Sequence, residues 1–141
     1  MKTDYIFSDG GAKDAFPKLA KRTGNCVIRA IALATEQPYK KVWNEMLEIS
    51  AQTGYFPNHN KVSTLYIQKY GFEEIKYGRT NIRMNELGHS FLKTRKNQWI
   101  ILYIKRHWVA MKNNVIYDTW DSRKNSWGDS PRVFRAYVKN C

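Results

Sequence analysis

A cysteine heads the apolar run Thr23-Gly24-Asn25-Cys26-Val27-Ile28-Arg29-Ala30-Ile31-Ala32-Leu33-Ala34-Thr35. The run is apolar nearly all round, the pattern of a buried helix. Thr23 or Asn25 offers a side-chain oxygen to cap its first orphan N–H groups. Cys26 then falls in the first turn, where the helix dipole and free amides favour the nucleophilic thiolate. A thiolate of this kind needs a base, and His107 is the leading candidate. It opens the segment His107–Met111, which Lys112-Asn113-Asn114 separates from Val115–Trp120. Asn-Asn tolerates the positive φ of a tight hairpin turn. With a two-residue turn at Asn113-Asn114, Lys112 opposes Val115 and His107 faces Trp120. Asp118 then lies diagonal to His107 on the same face, because side chains alternate with period two. Diagonal neighbours are about 7–8 Å apart at Cα, within reach of an imidazole and a carboxylate leaning together. Asp118 is thereby placed to hold His107 in one tautomer and to stabilise its charged form. A four-residue loop keeps this pairing and a three-residue loop breaks it. Asp121 is the competing carboxylate.

Composition narrows the other chemistries. The chain has 141 residues, 24 Lys+Arg against 12 Asp+Glu, and a net charge of +12. Its two cysteines, Cys26 and Cys141, cannot build a disulfide framework or a four-thiolate zinc site. Beside His107 there are only His59 and His89, read as a solvent loop residue and a surface residue. No metal and no cofactor are expected, and Cys141 is read as a terminal spectator. The longest apolar stretches, such as Trp99–Ile104, are far shorter than the roughly 20 residues of a membrane span. The N-terminal residues lack the apolar centre of a signal peptide. The expected compartment is therefore the reducing cytoplasm, with no membrane partner. Excess positive charge attracts acidic proteins and nucleic acid. The bases are scattered, however, with the densest clusters at Lys18, Lys21, Arg22 and at Lys93, Arg95, Lys96. No helix-turn-helix, zinc knuckle or RNP-type strand accompanies them. A protein or peptide substrate, acidic in character, is favoured over nucleic acid.

The elements that must position these residues follow in order. Residues 1–22 read as an extended or loop arm broken by Gly10-Gly11 and Pro17. After the Cys26 helix, a second helix is predicted over Tyr39–Gln52, with Pro38 at its start, Val42, Met46 and Ile49 on one stripe, and Gly54 past its end. A third covers Val62–Tyr70 with Gly71 as the stop, and Phe72–Tyr77 reads as a short strand. A fourth helix opens at Thr80 or Asn81 and runs through Met84, Leu87, Phe91 and Leu92. Trp99–Ile104 is rich in β-formers, the His107 hairpin follows, Ser122–Pro131 is a loop, and Val133–Val138 is a last strand. The expected fold is α+β in one domain, 1–141: the arm (1–22), a mainly helical half (23–95) and an antiparallel sheet half (96–141).

The run TGNCVIRAIALAT, followed after PYKKVWNEM by RHWVAMKNNVIYDTWD, resembles a family of small bacterial and phage proteins. These carry a Cys-first helix and a His-bearing hairpin, and they are similar in arrangement to papain-like cysteine peptidases. SDGGAKDAFPKLAKRTGNC resembles the opening of the same family, whereas residues 55–95 match weakly. The resemblance implies a papain-like fold with Cys26 as nucleophile, His107 as base and Asp118 as its orienting partner. The implied activity is that of a thiol peptidase, isopeptidase or deamidase, in a phage setting an effector against a host protein in the host cytoplasm. Papain-like peptidases often carry a Gln several residues before the Cys to stabilise the oxyanion; here Leu19, Ala20 and Lys21 stand there. The backbone N–H of Cys26 offers one oxyanion donor, with Asn25 or Thr23 as candidates for the second. Trp120, Trp108 and Trp127 are candidates for holding a substrate side chain, with core or groove lining as the alternative. Two alternatives stand beside this reading: a binding or inhibitor protein on a papain-like scaffold, and a basic nucleic-acid-binding protein.

Overall fold

The computed structural model describes residues 2–18, 25–75, 82–87, 95–124 and 128–139. In chain order the elements are β1 (Asp4–Phe7), α1 (Ala12–Ala15), α2 (Cys26–Ala34), α3 (Tyr39–Thr53), α4 (Asn60–Lys69), β2 (Phe72–Ile75), β3 (Ile100–Ile104), β4 (His107–Lys112), β5 (Val115–Asp118) and β6 (Arg135–Lys139). The class is α+β. The six strands form one mixed sheet in the order β1-β5-β4-β3-β6-β2.

This sheet departs from the expected C-terminal antiparallel unit. β1, from the N-terminal arm, pairs parallel to β5, with Tyr5 opposite Ile116 and Phe7 opposite Asp118. β2, from the helical half, closes the opposite edge antiparallel to β6. The physical reason is the same at both ends. The strands after residue 96 would leave two rows of unpaired N–H and C=O groups, and the short segments 4–7 and 72–75 satisfy them.

The helices stop where the sequence marks them. Pro38 precedes α3 in an extended conformation, and Gly54 ends it at φ 82°, the left-handed region that glycine enters without strain. His59 is exposed yet has a role: its Nδ1 accepts the Lys61 N–H and caps α4, and its ring stacks 4.5 Å from Tyr55. α2 is buried on nearly all sides through Val27, Ile28, Ala30, Ile31, Ala32 and Ala34, as its composition requires.

Trp99–Ile104 reads as a continuous apolar run because β3 is covered on both faces. Ile101, with Trp108, Ala110 and Tyr137 of the neighbouring strands, packs under α2, α3 and α4. Ile100, Leu102 and Ile104, with Val109, Met111 and Ile116, build a second core on the opposite face. Met84 and Leu87 fill that second core, but residues 82–86 are not helical and Leu87 is in 3₁₀, not α, conformation. Arg83 bridges to Arg132, and the Met84 N–H bonds the Pro131 carbonyl at 2.9 Å. The helix expected there fails because the same spacing of apolar residues also suits a turn bonded to an extended neighbour. Thr80, Asn81, Phe91 and Leu92 lie outside the described residues, as does Tyr77.

Candidate active site

α2 packs over β4, and its first turn meets the end of the sheet where β4 begins and β5 ends. The hairpin that brings His107 and Asp118 together turns at Asn113 (φ 52°) and Asn114 (φ 61°), both left-handed. Lys112 pairs with Val115, Met111 with Ile116, and Ala110 with Tyr117. That register would next pair Val109 with Asp118, but the ladder ends at Ala110. The Trp108 amide is turned to the Cys26 sulphur instead.

His107 and Asp118 are buried, 9% and 3% exposed. The imidazole Nε2 lies 2.6 Å from Asp118 Oδ2. Its other nitrogen, Nδ1, remains for the hydrogen bond with the Cys26 thiol. The structure thus brings Cys26, His107 and Asp118 into one hydrogen-bonded relay.

Asp118 is held on every side. Its Oδ1 accepts the Thr119 N–H at 2.7 Å and Arg29 Nη2 at 3.3 Å. Its backbone carbonyl accepts the Ser8 N–H at 2.8 Å and the Tyr5 hydroxyl at 3.3 Å. Arg29 also donates from Nη1 to Asn25 Oδ1, and Asn25 Nδ2 donates to the Tyr39 hydroxyl at 3.0 Å. Arg29 escaped the sequence reading although a signal was present. It is the lone charge in the run CVIRAIALA, on the same helical face as Cys26 one turn back.

Two opposed effects set the charges. Burial alone would raise the Cys26 thiol, but the His107 hydrogen bond, the Trp108 amide and the charges of His107 and Arg29 outweigh it and hold the thiol below its ordinary value. Burial alone would lower His107, but hydrogen bonds and charge from Asp118 and Cys26 push it up to about 9. Both shifts act in the direction of a thiolate–imidazolium pair.

The remaining candidates separate. Asn25 occupies the N-cap position of α2, but its side chain makes no cap hydrogen bond. Its amide is committed to Arg29 and Tyr39, which corrects the capping role and turns Nδ2 to the Tyr39 hydroxyl. Thr23 lies outside the described residues, as do Leu19, Ala20, Lys21, His89, Trp127 and Cys141. Trp120 is 44% exposed, and its ring lies 5.0 Å from that of His107. Trp108 is 3% exposed and stacks on Tyr137 at 5.2 Å, which corrects the substrate-binding role expected for it: its side chain is core and only its backbone reaches the site. Asp121 is bound to Arg123 at 2.8 Å, which lowers its pKa and leaves His107 to Asp118. Among the described residues, no His, Cys, Asp and Glu side chains group to hold a metal, and no helix is long and apolar enough to cross a membrane. An apolar groove of about 560 Å³, lined by Phe16, Pro17, Tyr39 and Trp43, adjoins Asn25 through the Tyr39 hydroxyl.

The loop after β1 is built against this site. Asp9 accepts the Gly11 and Lys13 amides at 2.9 and 3.0 Å. Gly10 is left-handed at φ 65°, and a Cβ there would stand 2.9 Å from the Arg29 carbonyl oxygen. Gly10→Ala is expected to cost about 1–2 kcal/mol from the backbone conformation alone, before the clash is counted. Urea unfolding checks this, and an unchanged midpoint would refute the close approach.

The chain matches no protein-family model, no curated protein and no solved structure with which it was compared.

Proposed function

We propose that this chain is a cysteine hydrolase of papain-like arrangement, acting on an amide or isopeptide bond of a protein substrate. The observation that carries this reading is the unbroken relay from the Cys26 sulphur through His107 to Asp118. The thiolate adds to the substrate carbonyl carbon, and the first-turn amide of Cys26 is available to the developing oxyanion. The C–N bond then breaks as the imidazolium passes its proton to the leaving nitrogen, leaving a thioester on Cys26. His107 next takes a proton from water, hydroxide attacks the thioester, and the acid product leaves the thiolate behind. Asp118 keeps the imidazole oriented through both steps. The leaving group distinguishes peptidase, isopeptidase and deamidase: a chain amine, a lysine amine or ammonia.

The charge of +12 supports an acidic protein as substrate, through steering rather than contact. A free, ionised thiol suits a reducing cytoplasm, that of the host for a phage-encoded effector. One observation favours a second reading, a binding or inhibitor protein on the same scaffold: the Asn25 amide is committed to Tyr39 and Arg29.

Incubation of wild type and Cys26→Ala with a soluble cell extract separates the two. New amine termini, released lysine amines and amide-to-acid conversions are read by mass spectrometry. At least one product class is expected to grow with wild type and to be absent with Cys26→Ala. No product from wild type, together with a partner retained equally by Cys26→Ala, would decide for the binding protein.

A further inference from the structure

We infer that Arg29 is a positioning residue of this site: from the helix that carries Cys26, it fixes the Asp118 carboxylate so that Oδ2 is directed at His107. The inference deepens the hydrolase reading and rests on it.

The geometry divides the carboxylate between two tasks. Oδ2 serves the imidazole at 2.6 Å, and Oδ1 is held by Arg29 and the Thr119 amide. Without the guanidinium, Oδ1 keeps only the amide of the adjacent residue, which leaves the carboxylate plane freer to turn from His107. Arg29 is itself fixed at both ends. Its Nη1 is bound to Asn25, which is anchored on Tyr39, and its backbone is crowded by Gly10, where even a Cβ has no room. The helix bearing the nucleophile and the strand bearing the acid are thus locked by one side chain, only 12% exposed.

Charge points the same way. With the proton on the imidazole, the cluster holds Cys26 and Asp118 negative, His107 and Arg29 positive. Loss of Arg29 leaves a net negative charge in a buried site, which opposes formation of the thiolate. A lysine would restore the charge but not the fork that spans Asn25 and Asp118.

The test is the pH profile of Cys26 alkylation by iodoacetamide in wild type, Arg29→Met, Arg29→Lys and Asp118→Asn, with folding checked by circular dichroism. Arg29→Met is expected to move the acid limb upward and slow the reaction at about pH 6 by about threefold, the net effect of one pH unit: about tenfold less thiolate, about threefold more nucleophilic. In an Asp118→Asn background the same change is expected to do less, because the route through the carboxylate is gone and only the direct charge of Arg29 on Cys26 is left. A folded Arg29→Met whose profile overlays wild type, or an undiminished effect in that background, overturns the inference. Should Arg29→Met not fold, Arg29→Lys decides: its midpoint should stay near wild type while its limiting rate falls, and identity in both would refute positioning by the fork. If Cys26 of the wild type already titrates as an ordinary thiol, the hydrolase reading itself fails.

Discussion

Cys26 is expected to alkylate at acid pH faster than a free model thiol, and His107→Ala is expected to reverse that order. An ordinary thiol titrates near about 8.5, so little thiolate is present at about pH 6. Each unit by which the thiol is lowered raises its thiolate fraction there about tenfold. Lower basicity takes back about threefold in nucleophilicity, so the net gain is about threefold per unit. The sign change in the mutant follows from the causes themselves. Burial is the largest influence on Cys26 and raises its pKa; the hydrogen bond and charge of His107 are what overcome it. Removing the imidazole leaves burial opposed only by the Trp108 amide and Arg29. The His107→Ala thiol should therefore react more slowly than the model thiol, not merely as fast. If the hydrolase reading holds, turnover should fall by about 10²–10⁴, the range of a lost general acid–base group. The profile is read on the Cys26 peptide by mass spectrometry. Identical profiles for wild type and His107→Ala would sink the relay.

The parts of this site that could be read in the sequence are those set by local rules. Asn113-Asn114 fixes a two-residue turn, and period two then carries Asp118 onto the face of His107. The apolar run after Asn25 places Cys26 in a first helical turn. What escaped depends on partners distant along the chain. β1 is four residues without alternation, and its parallel partner β5 is over a hundred residues away, so nothing local marks it as a strand. Trp108 sits beside His107 in sequence, and only the helices packed over its face of the sheet decide that its ring is buried against Tyr137. Arg29 shows as an anomaly in an apolar helix, but its meaning needs Asp118 and Asn25 in view. Asn25 has the right type for a cap, yet its amide has stronger claims on it from Arg29 and Tyr39. Residues 82–87 illustrate the converse, since apolar spacing alone does not separate a helix from a turn packed under a sheet.

Asp118→Ala is expected to destabilise the fold by about 3–5 kcal/mol, the usual consequence of stripping one partner from a buried ion pair. The loss is large because the carboxylate serves two cations, and Arg29 cannot reach bulk water while bound to Asn25. The pH dependence tells this apart from a simple cavity. His107 has a raised folded pKa, so its contribution is complete below about 6.5 and is lost as pH rises through about 9. Cys26 has a lowered folded pKa. Its contribution is therefore complete above about 8.5 and is lost as pH falls through its folded value. Between about 6.5 and 8.5, once the folded thiol is ionised, each state holds one proton across the two groups. In the folded state it sits on the imidazole and in the unfolded state on the thiol, so wild-type stability is expected to be level there. Above that window the folded protein keeps a proton that the unfolded chain has released, and stability falls. Asp118→Ala removes the strongest influence raising His107, so its decline should begin at lower pH and the level region should shrink. Urea unfolding at a series of pH values measures both effects. A wild-type curve that declines steadily from about 6.5 would mean that Cys26 keeps its proton and that His107 alone is perturbed.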